Sequence, residues 1–148
     1  MANQGITLNY DKAKVKRFEK LLRDKEAKIK NFSYPMRKIA LVMHKSTMAN
    51  FMQEGRPQRW KALKDSTRIA RRKGGGSGIS KVLQDTGTLR QSIASVSDRY
   101  QAKVGTNLVY AKIHQFGHRT KKIPARPFLR MQDSETPMIE KMIVDYLT

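Results

Sequence analysis

Five residues halfway along the chain, Gly74-Gly75-Gly76-Ser77-Gly78, limit what it can fold into more than any other segment. Four glycines in five positions cannot hold a fixed backbone without contacts from outside the run. The hydrophobic period also changes across it. Before the run, apolar residues recur at helical spacing. Val15, Phe18, Leu22 and Ile29 form one stripe of an exposed amphipathic helix over residues 11–30, with Leu21 beside it and Asp11 as N-cap. A second helix starts near Pro35, carries Met36, Ile39, Ala40, Met43, Thr47 and Phe51 on one face, and stops at Gly55. The link Asn31-Phe32-Ser33-Tyr34 makes the two a hairpin, antiparallel or sharply bent. A loop through Pro57 then enters a short helix capped by Asp65 or Ser66.

Beyond the glycines, Ser92-Ile93-Ala94-Ser95-Val96 alternates with period two, and Ala102-Lys103-Val104 follows a polar turn, which predicts a β-hairpin. Residues 107–116 return to helical spacing through Leu108, Ala111 and Phe116 and end at Gly117. Phe128-Leu129-Arg130-Met131 is expected as a third strand after the bend at Pro124 and Pro127, and a helix from about Pro137 to Leu147 closes the chain. This order predicts an α+β fold, N-terminal helices packed with a small antiparallel β-sheet and a C-terminal helix. A helical region, residues 1–55, and an α+β region, residues 56–148, are expected to form one continuous domain.

Charge narrows the partners. The 148 residues hold 31 Lys and Arg against 12 Asp and Glu, a formal net charge of +19. Such a chain repels itself and faces something negative: nucleic acid, an anionic membrane or an acidic protein. Residues 56–73 carry eight cations and one acid, and residues 112–130 carry six cations and none. The last sixteen residues reverse the sign, so the acidic end is a candidate partner for the basic middle of another copy. No apolar run approaches the roughly 18 residues of a membrane span, so a membrane is not an expected partner. Met1-Ala2-Asn3-Gln4-Gly5 shows no apolar signal region, and the chain has no cysteine, which together suggest a cytoplasmic origin.

The candidate chemistries are thin. A phosphate loop needs Gly-Lys-Ser/Thr after its glycines, and none occurs here. His114 and His118 have the spacing of helical metal ligands, but Gly117 lies between them and no acid completes the set, so neither metal nor cofactor is expected. Asp85-Thr86-Gly87 reads as a turn whose Asp or Thr caps the next short helix rather than as half of an aspartic dyad. No catalytic residue is assigned, and enzyme is the least favoured class. Arg68, Arg71, Arg72 and Lys73, with Lys121 and Lys122, are candidates to face DNA or an acidic partner. Gly74, Gly75, Gly76 and Gly78 form the candidate flexible arm.

Four blocks in order resemble the phage virion morphogenesis family, the tail completion and head–tail joining proteins of tailed phages and Mu-like prophages. They are Trp60-Lys61-Ala62-Leu63 with Thr67; Val82 through Ile93, including Asp85-Thr86-Gly87-Thr88-Leu89; Val104 through Gly117, including Tyr110 and His114; and Ile123-Pro124-Ala125-Arg126-Pro127-Phe128-Leu129. The resemblance implies a structural protein of the virion neck, assembled in the host cytoplasm, that completes the tail and joins it to the head as a ring or tail terminator. It implies contact with other copies, six being the expected number, with a head-side connector or adaptor, and with tail tube or sheath proteins. Genomic duplex DNA in the lumen is a further expected contact, and a basic DNA-binding accessory protein is the alternative. Within these blocks Trp60, Tyr110, His114 and Arg126 are the candidate partner-binding residues. Tyr110 and His114 share a helical stripe suited to docking on the sheet. Pro127 favours an extended Arg126 with its guanidinium pointing outward, ready to pair with a carboxylate across a subunit boundary or within the chain.

Overall fold

The computed structural model describes residues 12–75 and 81–148. Its organising element is α2 (Ser33–Met52), because the 3.6-residue period puts Ile39, Ala40, Thr47, Asn50 and Phe51 on one buried face. The helix opens two residues before Pro35. Asn31 is the reason: its side-chain oxygen accepts from the Ser33 N–H at 3.3 Å, satisfying a donor that the first turn leaves open. Pro35 then lies in that first turn, where its missing N–H costs nothing.

Helix α1 (Lys12–Lys30) precedes it, and the proposed cap Asp11 lies outside the described residues. Its apolar stripe is exposed, with Phe18 at 60%. Contact with the body runs instead through the C-terminal helix α6 (Thr136–Leu147). Lys25 Nζ donates to the Leu147 carbonyl, and the Tyr146 hydroxyl donates to the Asn31 carbonyl at 2.8 Å. Phe32 meets the Tyr146 ring edge-on at 5.5 Å.

Gly55, at φ +109°, reverses the chain after α2. A Cβ there would lie 2.6 Å from the Gln58 carbonyl oxygen and 2.7 Å from the Trp60 nitrogen, so no other residue fits without movement. The reversal lays Trp60 edge-on against Phe51 at 5.9 Å, while Phe128 packs on Phe51 from another side at 5.4 Å. Val82, Leu89, Ile93 and Ala111 complete this core. Helix α3 (Asp65–Ala70) follows, its N-cap the extended Lys64 rather than Asp65 or Ser66, which are its first two residues. It widens into a π-helical turn, Arg71–Gly75, so Gly74 and Gly75 continue a helix rather than open an arm; Gly76 and Gly78 lie outside the described residues. The returning chain is anchored at three points. Arg71 donates to the Lys81 carbonyl at 3.0 Å, the Val82 N–H donates to the Glu54 carboxylate at 2.9 Å, and Gln84 donates to the Phe51 carbonyl at 2.7 Å.

A short helix α4 (Thr88–Gln91) leads into strands β1 (Ala94–Ser97) and β2 (Ala102–Gly105), an antiparallel pair in the register Ala94 to Gly105 and Ser97 to Ala102. Asp98 closes the hairpin by accepting the N–H groups of Tyr100 and Gln101, both at 2.8 Å. Helix α2 covers this sheet. The next helix, α5 (Ala111–Phe116), starts four residues later than its spacing suggests. Thr106 takes the Leu108 N–H at 3.2 Å and holds residues 106–108 in a turn.

Residues 128–131 are not a strand. Two side-chain amides, the buried Asn50 and the half-buried Gln115, occupy the positions a neighbouring strand would fill. Gln115 Oε1 accepts from the N–H groups of Phe128 and Leu129, both at 3.0 Å. Asn50 Nδ2 donates to the carbonyls of Phe128 at 2.8 Å and Arg130 at 2.7 Å. Much of the segment's backbone is thus satisfied without a ladder, and the sheet stays two-stranded among the described residues. The fold is α+β, with N-terminal helices, a small antiparallel sheet and a C-terminal helix.

Candidate functional site

The four sequence blocks meet around one cleft. Its frame is Arg126, which the chain turns inward: the guanidinium donates to the Lys61 carbonyl from Nε at 3.1 Å and Nη2 at 3.0 Å, and to the Ala62 carbonyl at 3.4 Å. Its backbone N–H donates to the His114 carbonyl at 2.7 Å. This one residue therefore ties the loop after α5 to the segment leading into α3. Its guanidinium points inward and, among the described residues, pairs with no carboxylate; two backbone carbonyls, 65 and 64 positions away in sequence, decide its direction. Trp60 is likewise a core residue, 8% exposed, rather than a surface anchor.

Around Arg126 the cleft encloses about 360 Å³. Its floor is apolar, made by Leu63, Leu83, Leu89, Ile123 and Pro124. Tyr110 and His114, one turn apart, form a wall and meet edge-on at 6.0 Å. They face the cleft and not the sheet, whose cover is α2. Lys64, Arg71, Lys121 and Lys122 supply positive charge at its edge. Lys121 and Lys122 are held there by a tight turn in which His118 and Ile123 exchange both backbone hydrogen bonds, at 2.8 and 3.0 Å. Gly117, at φ +79°, allows that turn to close against Ala125. The cleft's acid is Asp85, whose Oδ1 lies 3.5 Å from Arg71 Nε. In the following turn Gly87 takes the N-cap position of α4, and the Thr86 hydroxyl accepts from the Thr88 N–H at 3.4 Å, so the Thr of this triplet serves the first donor of that helix.

The electrostatics follow from burial. Loss of water, and then the charge of Arg126, lower the His114 pKa below its ordinary value, which favours a neutral imidazole. Its Nδ1 is buried and has no hydrogen-bond partner among the described residues. Burial, and then the charge of Arg71, lower the Arg126 pKa as well. A neutral imidazole offers one N–H donor and one acceptor nitrogen, and beside these cations it can hydrogen-bond an anion. Among the described residues, no group of three His, Asp or Glu is placed to hold a metal ion.

A second groove, about 510 Å³, lies beside the opposite side of α5. Residues 112 and 116 stand roughly 200° around the helix from 110 and 114, and Phe116 and Val109 are 78% and 84% exposed there. Leu108 and Leu129 continue this apolar surface.

The structure thus brings Tyr110, His114, Arg126, Arg71, Lys121 and Lys122 together. It leaves out Trp60, and it leaves Arg68, Arg72 and Lys73 exposed away from the cleft, with Arg68 Nη1 3.5 Å from Asp65. Sequence reasoning did not single out Leu83, Asp85 or Lys64 as site residues, although the first two lie within the second of the four blocks that carry the resemblance.

Residues 13–148 match the phage virion morphogenesis family. The chain is 40% identical over 116 residues to Mu-like prophage FluMu G protein 2 of Haemophilus influenzae, covering 75% of each chain. Over 48 residues it is 44% identical to an uncharacterized protein of Methanocaldococcus jannaschii, covering 29% of this chain and 36% of that one. No solved structure matches it. The extent of the family match, with a relative of this identity over three quarters of both chains, establishes that the chain belongs to the phage virion morphogenesis family.

Proposed function

We propose that this chain, a phage virion morphogenesis protein by family, completes the tail and joins it to the head as one subunit of a ring at the virion neck. The observation that carries the reading is the pair of unlike surfaces on opposite sides of α5, a cationic cleft and an apolar groove. A joining protein must meet other copies and unlike neighbours at once, and one subunit with an apolar face for another copy and a cationic face for a different protein suits that task. Six copies are the expected number. The role is structural, and the cleft's cations and neutral histidine serve recognition.

Deleting the gene from a phage or prophage that carries it tests this. Filled heads and separate tails are the expected products, and normal virions from the deletion strain refute the reading. Electron microscopy of the purified protein tests the ring, and a symmetry that is not a multiple of three counts against six copies. A DNA-binding accessory role is favoured by one observation, the exposure of Arg68, Arg72 and Lys73 outside the cleft. It requires duplex binding that falls by about 0.9 log units per log unit of salt for each phosphate neutralised. Assembly defects without such binding reject it as the main role.

A further inference from the structure

The cleft beside α5 combines two features that a nucleic acid does not use together. Its floor is aliphatic, from Leu63, Leu83, Leu89 and Ile123, and its edge is cationic, from Lys64, Arg71, Lys121 and Lys122. At about 360 Å³ it sits near the lower end of the range for ligand sites, roughly 300–1,000 Å³. That space suits one or two side chains of an extended segment. A duplex presents phosphates on a convex surface and nothing aliphatic to fill the floor. The cleft wall also holds a polar atom unsatisfied among the described residues, His114 Nδ1, and buried polar atoms ordinarily have partners.

A different protein suits the cleft better than a second copy, because like charge opposes contact between copies and several of this chain's acids are engaged within it. Glu54 accepts the Val82 N–H, Asp98 closes the hairpin, and Glu135 lies 3.2 Å from Arg56. Glu26 and Asp145 pair with lysines one turn away on their own helices, at 2.6 and 3.1 Å. Each copy brings a net charge of +19 to any contact with another.

We propose that the cleft is a receptor for an extended acidic segment of a different protein, which sets a carboxylate among the exposed Lys64, Lys121 and Lys122 and an aliphatic side chain on the leucine floor. The proposal deepens the assembly reading and rests on it: the segment belongs to a neighbour in the neck.

The probe is a dye-labelled, blocked peptide of alternating Glu and Leu, compared with the same peptide carrying Gln for Glu. Anisotropy measures affinity for the full chain, and NMR chemical shifts locate the contact. The Glu peptide is expected to bind about tenfold or more tightly than the Gln peptide, with shifts concentrated at Tyr110 and His114. Both lysines are exposed, so K64E/K121E is expected to keep its circular dichroism and melting temperature while losing about tenfold in affinity. Should that variant fold poorly, K121Q is measured in its place and loses a smaller factor in the same direction. Equal binding of the two peptides, no binding, shifts elsewhere, or a short DNA duplex that displaces the peptide from Tyr110 and His114 each overturn the proposal. If the deletion strain accumulates heads and tails while the peptide fails to bind, this proposal falls and the assembly reading stands. Normal virions from that strain overturn the assembly reading whatever the peptide does.

Discussion

Replacing Asn50 with leucine tests how the fold replaces a missing strand. The side chain is fully buried and has the branched outline of leucine, whose methyl groups are bulkier, so the substitution removes the polar contacts and adds some crowding. Two carbonyls lose their donor, those of Phe128 and Arg130, formerly bonded at 2.8 and 2.7 Å. Arg56 Nε loses its acceptor at 2.8 Å. The contact from Gln132 Nε2, at 3.5 Å, is long and counts for little. A buried group left without a partner costs about 1–3 kcal/mol. Arg56 keeps its bonds to the Ser46 carbonyl at 2.8 Å and to Glu135, which limits its share. The three losses together come to about 3–6 kcal/mol, a large part of the roughly 5–15 kcal/mol that holds a domain folded. Urea titration followed by circular dichroism measures it, as a lower midpoint at unchanged slope. Q132A is the comparison and is expected to cost less than about 1 kcal/mol. A loss below about 1 kcal/mol for N50L would refute the claim that this amide, and not a neighbouring strand, holds residues 128–131.

Other outcomes follow from the same geometry. G117A places a Cβ 2.8 Å from the Ala125 nitrogen and 2.9 Å from the Ile123 oxygen, at φ +79° and ψ 175°, and is expected to cost about 2–5 kcal/mol by thermal melting. Burial alone would raise the Glu135 pKa, but the Ser46 hydroxyl, the Gln132 N–H and Arg56 together hold it below its ordinary 4.5. Its contribution to stability is therefore complete above pH 4.5 and declines as pH falls below that, and E135Q is expected to flatten this acid limb in melts taken across pH. F18S and L22S remove exposed side chains and are expected to shift stability by less than about 0.5 kcal/mol, whereas F51A in the core costs about 3–5 kcal/mol.

Much of the fold was legible because local rules governed it. The spacing of Ile39, Ala40, Thr47 and Phe51 described the buried face of α2, and period-two alternation found the hairpin. The failures share a cause. Residues 128–131 have a strand-like composition, but amides from Gln115 and Asn50, distant in sequence, took the ladder's place. Pro127 acts on the backbone of Arg126 and says nothing of where its guanidinium ends; the Lys61 carbonyl decides that. Trp60 sits among cations in the sequence, and only the reversal at Gly55 sends it inward. The cleft itself was legible only as four separate blocks, because their convergence is a tertiary fact.

The disposition of charge separates two kinds of association by the sign of their salt dependence. The +19 already counts every acid against the cations, internal pairs such as Glu135 with Arg56 and Asp85 with Arg71 included, so copies meet with all of it. Contact between copies must come from apolar surface, of which Val109 and Phe116 are the most exposed part, and must overcome that repulsion. Added salt shortens the screening length from about 10 Å at 0.1 M to about 3 Å at 1 M, so self-association is expected to strengthen with salt. An acidic segment in the cleft gains from the same cations and is expected to bind more weakly as salt rises. Sedimentation velocity and peptide anisotropy across one salt series measure both. If self-association and peptide binding weaken together, copies are held by charge pairs between them, and the acids taken here as engaged within each chain are instead the contacts of the ring.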